Sequence, residues 1–144
     1  MGIKLLVSQL TRKHGTNNPF TIAAKKNILV LFEPLGGMMG YFNTYKRIPM
    51  IHINSDLDYT EQLYTCAHEL GHAILHRNIN TPFLRRHTLL SIEKIEREAN
   101  QLAVELLIPD KLLIEGASIY DAASMCGVPA EVAYLKQPPS KRLK

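Results

Sequence analysis

Apolar and polar positions along this chain follow first one period and then another. Residues 3–14 carry apolar side chains at helical spacing, and Gly15 with the polar run TNNP closes that helix. ILVLF at 28–32 is a short apolar run of strand-like composition, broken by Pro34 and the Gly36-Gly37 pair. MMGYFNTY and IPMIHIN are a second and a third strand, joined by a turn at Lys46-Arg47. In IPMIHIN, Ile51 and Ile53 point one way and His52 the other, as in a half-exposed strand. The pattern predicts a small antiparallel sheet of about three strands.

From there the period lengthens to that of a helix. Asp58 is placed to cap one, with Glu61 three residues on as its capping-box partner. That helix is expected to run to His76 or Arg77, followed by the loop NINTPFLRRHT. A second helix spans 92–107 and stops at Pro109. Shorter helices follow at 110–115, 118–126 and 130–136, separated by Gly116, Gly127 and Pro129. The expected organisation is one α+β domain over 1–137, with 138–144 a disordered basic tail.

Composition changes this picture little. With 144 residues the chain suits one domain. A net charge of +4 sits partly in the terminal SKRLK and partly in Arg85-Arg86. There is no Trp and little interleaving of aromatics with basic residues, so the excess reads as solvated charge rather than a nucleic-acid groove. Two cysteines make no disulfide framework, and a reducing cytoplasm is the expected compartment. No apolar stretch approaches a membrane span. The opening MGIKLLVSQL lacks a cleavage site, and Leu6 stands where myristoylation expects Ser or Thr.

Chemistry is concentrated in CAHELGHAILH, residues 66–76. Leu63, Ala67, Leu70 and Ile74 form the core stripe of this helix, the last three within roughly 40° of Leu63. His68 and His72 fall on the opposite side about 40° apart, the i, i+4 spacing at which two imidazoles reach one zinc ion. Glu69 lies beside them, where a carboxylate can touch a water at the ion without being a ligand. Gly71 lets another element come close. His76 continues the series as a surface residue or an outer support of the site, and Cys66 turns toward the core.

A hydrolytic zinc site needs a third protein ligand. Asn78 stands where a third histidine would follow in the extended motif, so that option fails. The second helix offers Glu93, Glu96, Glu98 and Glu105. Glu96 lies inside the apolar arc with Ile92, Ala99, Ala103 and Leu106, whereas Glu98 and Glu105 join Lys94, Arg97 and Gln101 on the far, solvated face. A carboxylate on an apolar face costs several kcal/mol unless it is compensated, and a metal would compensate Glu96. Asn100, one turn on, is placed to hydrogen-bond a ligand histidine. Arg85, Arg86 and His87 in the connecting loop read as solvated charge.

HELGH at 68–72, EREAN at 96–100 and AVELLIP at 103–109 together resemble the ImmA/IrrE family of zinc metallopeptidases, over about residues 50–135. Leu102 departs from the aromatic found there in many relatives, a matter of packing. The resemblance implies a minimal zincin-like fold of the gluzincin type, with an HExxH helix and a second ligand-bearing helix. It implies a Zn2+ cofactor held by His68, His72 and Glu96, with Glu69 as catalytic base. It also implies a protein substrate: a helix-turn-helix repressor of a phage or mobile element, cut at one place. Tyr41, His52 and Tyr120 are candidates for stabilising the oxyanion, and the strand at 51–54 for holding an extended peptide. Two other readings compete. One is a non-catalytic zinc module, which has no use for Glu69; the other is a regulator using 118–136 as a helix-turn-helix, although that stretch holds only one lysine and no arginine.

Overall fold

The computed structural model describes residues 2–78 and 89–139. Helix α1 spans Ile3–His14 and ends where Gly15 turns left-handed. A second short helix, α2 at Pro19–Lys25, follows at once. The sequence pattern did not predict it, because Asn18-Pro19 reads equally as the close of α1. In the fold the pair opens α2 instead: Asn18 Oδ1 accepts the Phe20 and Thr21 amides, and Pro19 takes the first turn, where no amide is needed.

Strands β1 (Leu29–Glu33), β2 (Gly40–Tyr45) and β3 (Ile48–Asn54) form one sheet. The expected strands are present, but the order is β1-β3-β2 and the sheet is mixed. β2 and β3 are an antiparallel hairpin, turned at Lys46 and Arg47 with φ of 50° and 69°. β1 lies parallel to β3 on its other side, reached by the crossover through residues 34–39 and β2. β3 is therefore the central strand, not an edge. That is why His52 is 8% exposed rather than half open. Ile51, Ile53 and Phe42 are fully buried and make the sheet's contribution to the core.

α3 (Tyr59–Leu75) starts at the expected capping box: Asp58 accepts the Glu61 amide at 2.8 Å and Glu61 accepts the Asp58 amide at 3.2 Å. α4 (Leu89–Leu107) begins earlier than the pattern predicts and ends before Pro109. The two helices cross in close contact at Gly71. A Cβ there would lie 3.1 Å from both the Cα and the carbonyl oxygen of Ala99, so glycine sets the separation of the helices. Leu102, Ala103, Leu106 and Leu107 continue the seam into the core. Among the described residues no helix is long and apolar enough to cross a membrane.

Three short elements complete the chain: α5 (Asp110–Ile114), α6 (Ile119–Met125) and a 3-10 helix at Ala130–Leu135. Glu105, expected on the solvated face of α4, is buried instead. It accepts from Lys4 at 3.3 Å, from Lys136 at 2.8 Å and from the Gln137 amide at 2.7 Å. Asp110 bonds the same two lysines at 2.7 Å. This cluster fastens α1 and the C-terminal segment to the end of α4. The expected disorder of the tail at 140–144 falls outside the described residues, as do Arg85, Arg86 and His87.

Two outcomes follow from this packing. Gly71→Ala should lose about 1–3 kcal/mol in urea unfolding, because Ala99 backbone, not a flexible side chain, blocks the new methyl. Burial acts to raise the Asp110 pKa, but Lys136 and Lys4 outweigh it and hold the carboxyl below its ordinary value of 3.8. Its stabilisation is thus present above that value and is lost as pH falls through the lower folded one. Unfolding curves taken from about pH 5 downward should show Asp110→Asn losing less stability with acid than the wild type.

Candidate metal centre

Three elements meet at a cleft of about 470 Å³. α3 contributes Tyr64, Thr65, His68, Glu69 and His72; α4 contributes Glu96 and Asn100; residues 37–41, leading into β2, form the rim. The rim is held from below by Asn54, whose side chain donates to the Gly36 and Met38 carbonyls at 3.0 and 2.9 Å. Gly40 packs so tightly that a Cβ would come within 2.6 Å of Thr65 Cγ2. Neither Asn54 nor Gly40 carries a sequence signal for this job, since both act across elements.

His68 and His72 stand on one face of α3 with ring centroids 4.8 Å apart, nearly perpendicular at 87°. Glu96 comes between them from α4. Its Oε1 is 3.0 Å from His68 Nε2 and its Oε2 is 3.1 Å from His72 Nε2. Sequence reasoning put Glu96 inside an apolar arc. Its neighbours Ala99 and Ala103 are indeed buried, but the Glu96 side chain is 40% exposed, at the mouth of the cleft. Glu69 is buried, and one of its oxygens lies within 4.8 Å of a ring nitrogen of each histidine.

The rings are held from behind. Asn100 Oδ1 is 2.7 Å from His68 Nδ1 and accepts the Tyr64 hydroxyl at 2.7 Å, the outer support expected of Asn100. An oxygen accepting both bonds puts a proton on His68 Nδ1, so Nε2 is the nitrogen that faces Glu96. On the other ring, His72 Nδ1 lies 3.0 Å from His76 Nδ1, and His76 Nε2 lies 2.8 Å from Glu98 Oε1. His76 is thus buried support, not surface, and Glu98 is its hydrogen-bond partner, not a solvated charge. α3 ends just before His76, which swings its ring out of helical register and back toward α4.

The electrostatics favour positive charge between the rings. Burial acts to lower the His68 pKa, but Glu96 and Glu69 outweigh it and the net shift is upward. His72 is lowered, chiefly by burial. Burial acts to raise Glu96, yet the two imidazoles prevail and hold it well below the usual carboxylate range. A metal fits the same place. Zinc bonds of about 2.0 Å in a tetrahedron set neighbouring donors about 3.3 Å apart, close to the spacings found. His72 Nε2 is buried and, although 3.1 Å from Glu96 Oε2, makes no well-aligned hydrogen bond, the condition of a donor atom prepared for a cation.

Of the residues considered for the oxyanion, Tyr41 lines the cleft. His52 does not: it is held at 2.6 Å by Glu33 and 2.8 Å by Asn43, under the stacked Tyr41 ring. Tyr120 is 58% exposed on α6 and lies outside the cleft lining. Thr65 Oγ1, which sequence reasoning passed over, is buried at the cleft without a hydrogen bond.

An α+β domain whose two central helices present a histidine pair, a cross-helix carboxylate and a cleft beside a strand edge has the architecture of a small metallopeptidase. The chain belongs to the IrrE N-terminal-like domain family (Peptidase_M78), which matches residues 23–136. It is 45% identical over 139 residues to uncharacterized immunity region protein 2 of Bacillus phage phi105, covering 93% of this chain and 88% of that protein. It is 34% identical over 143 residues to metallopeptidase ImmA of Bacillus subtilis strain 168, covering 94% and 83%. The family resemblance drawn from the three motifs is therefore borne out.

Metal analysis checks the centre directly. Wild-type protein should carry close to one zinc per chain, and His68→Ala and Glu96→Ala should each lose most of it. Equal zinc in all three would remove the site.

Proposed function

We propose that this chain is a zinc-dependent endopeptidase that cuts a helix-turn-helix repressor of a phage or mobile element in the cytoplasm. Residues 1–137 would form its single catalytic domain. The observation that carries this reading is Glu96, which sets one oxygen against each of the two histidine Nε2 atoms from a separate helix. Membership of a metallopeptidase family supports it, and so do an immunity-region protein and an ImmA metallopeptidase among the relatives. His68, His72 and Glu96 are the proposed ligands, and Glu69 the proposed base.

Zinc held there supplies Lewis acidity, which polarises a carbonyl and acidifies a water. A Glu69 carboxylate oxygen accepts a proton from the attacking water and returns it to the departing amine nitrogen. Its burial beside His68 removes competing bulk water from that transfer. Tyr64 and Asn100 keep the His68 ring aimed. The peptide would be held in extended form along β2. β3, the strand first expected to hold it, has both edges paired, whereas β2 pairs with β3 alone among the described residues and its rim borders the cleft.

The rival DNA-binding reading loses its one cation. Lys136, the single lysine of 118–136, is buried in the Glu105–Asp110 cluster and faces no phosphate. A non-catalytic zinc module would leave Glu69 without a task. Glu69→Gln tells these apart: zinc content should stay at the wild-type level while cleavage of a repressor protein falls about a hundred-fold or more. Equal cleavage by wild type and variant would overturn the assignment of the base.

A further inference from the structure

We infer that His76 and Glu98 are positioning residues that receive the Nδ1 proton of His72 in a hydrogen-bonded chain, and so hold its Nε2 aimed at the metal. The inference rests on the zinc site proposed above and assigns a task to two residues outside it.

The direction of each bond follows from what the atoms can do. A carboxylate oxygen only accepts, so the 2.8 Å contact to Glu98 Oε1 puts a proton on His76 Nε2. The other His76 nitrogen, Nδ1, sits 3.0 Å from His72 Nδ1, between two buried rings. With zinc on His72 Nε2 the proton of that ring lies on Nδ1, and His76 Nδ1 is placed to accept it. Nε2 faces Glu96 Oε2 at 3.1 Å, across the gap the ion would fill. Without the chain, a neutral His72 is free to take the other tautomer, with the proton on Nε2 pointing where the metal must go.

The backbone supports the same geometry. The His76 amide donates to the His72 carbonyl at 2.7 Å, so the two residues are joined by main chain and by ring. The chain ends on α4, as the Asn100 support of His68 does. α4 therefore supplies the direct carboxylate and orients both imidazoles of α3. Hydrogen bonds behind metal-bound histidines commonly change metal affinity by 10–100-fold.

The test combines nitrogen NMR of the zinc-loaded protein with zinc affinity by chelator competition. In wild type, long-range proton–nitrogen spectra should show His76 with its proton on Nε2 and His72 with its proton on Nδ1. Glu98→Ala, a change at a partly exposed side chain with little risk to folding, should weaken zinc binding about ten-fold and lose the single His76 tautomer. Glu98→Gln keeps an acceptor oxygen and should restore most of the affinity. His76→Phe should lose as much as Glu98→Ala or more, with unfolding curves to confirm a native fold. Zinc affinity in Glu98→Ala within two-fold of wild type, or His76 with its proton on Nδ1, overturns the inference while leaving the zinc site standing. Absence of zinc binding by the wild type overturns the site itself, and with it the role assigned to the pair.

Discussion

The closeness of two helices governs this molecule. α3 and α4 meet where Gly71 presents only a hydrogen to the Ala99 backbone. Glu96, one turn before Ala99, is thereby brought level with His68 and His72. A side chain at position 71 would push α4 outward, and 3.0 Å contacts do not survive a displacement of an ångström. The apolar seam of Leu70, Leu102, Ala103 and Leu106 holds the crossing at that distance. Core packing and site geometry are thus one constraint.

Around that crossing the polar groups are arranged so that each ring has a fixed back and an open front. Asn100 and Tyr64 stand behind His68; His76 stands behind His72. The front is shared by Glu96, by buried Glu69 and by the rim of β2. Burial alone would drive both rings neutral. The carboxylates reverse this for His68 but not for His72, so the two imidazoles are electrostatically unlike before any ion arrives. An N,N,O set with one face open to a cleft is the arrangement that leaves room for substrate beside a catalytic metal.

The rest of the chain serves to hold this assembly in place. Asn54 ties the rim to the end of the central strand. Glu105, Asp110, Lys4 and Lys136 lock α1 and the C-terminal segment against α4, the helix that supplies Glu96 and Asn100. Breaking one partner of a buried ion pair generally costs far more than the pair contributes, so this lock resists loosening at the far end of that helix. The same burial removes Lys136 from any role on a nucleic-acid surface.

Local pattern alone determined much here. The i, i+4 histidines, the adjacent Glu69, the capping box at Asp58 and the apolar seam of both helices are properties of one helix at a time, and helical geometry converts spacing into direction. The same arithmetic set Glu96 apart from Glu98 and Glu105, and in the fold its oxygens lie 3.0 and 3.1 Å from the two histidine rings. It failed for what Glu98 and Glu105 themselves do, because a residue turned away from one helix can be turned toward another element, and no single-helix projection contains that element. Likewise β3 reads as a half-exposed strand from its alternation, yet the crossover that places β1 beside it is a long-range choice, and it buries His52 and makes β3 central, leaving β2 paired on one side among the described residues. His76 lies just past the helix it seemed to extend, so its ring direction depends on a backbone turn that periodicity does not encode. Spacing along the chain decided which groups share a face; only the packing of separate elements decided which of those faces meet.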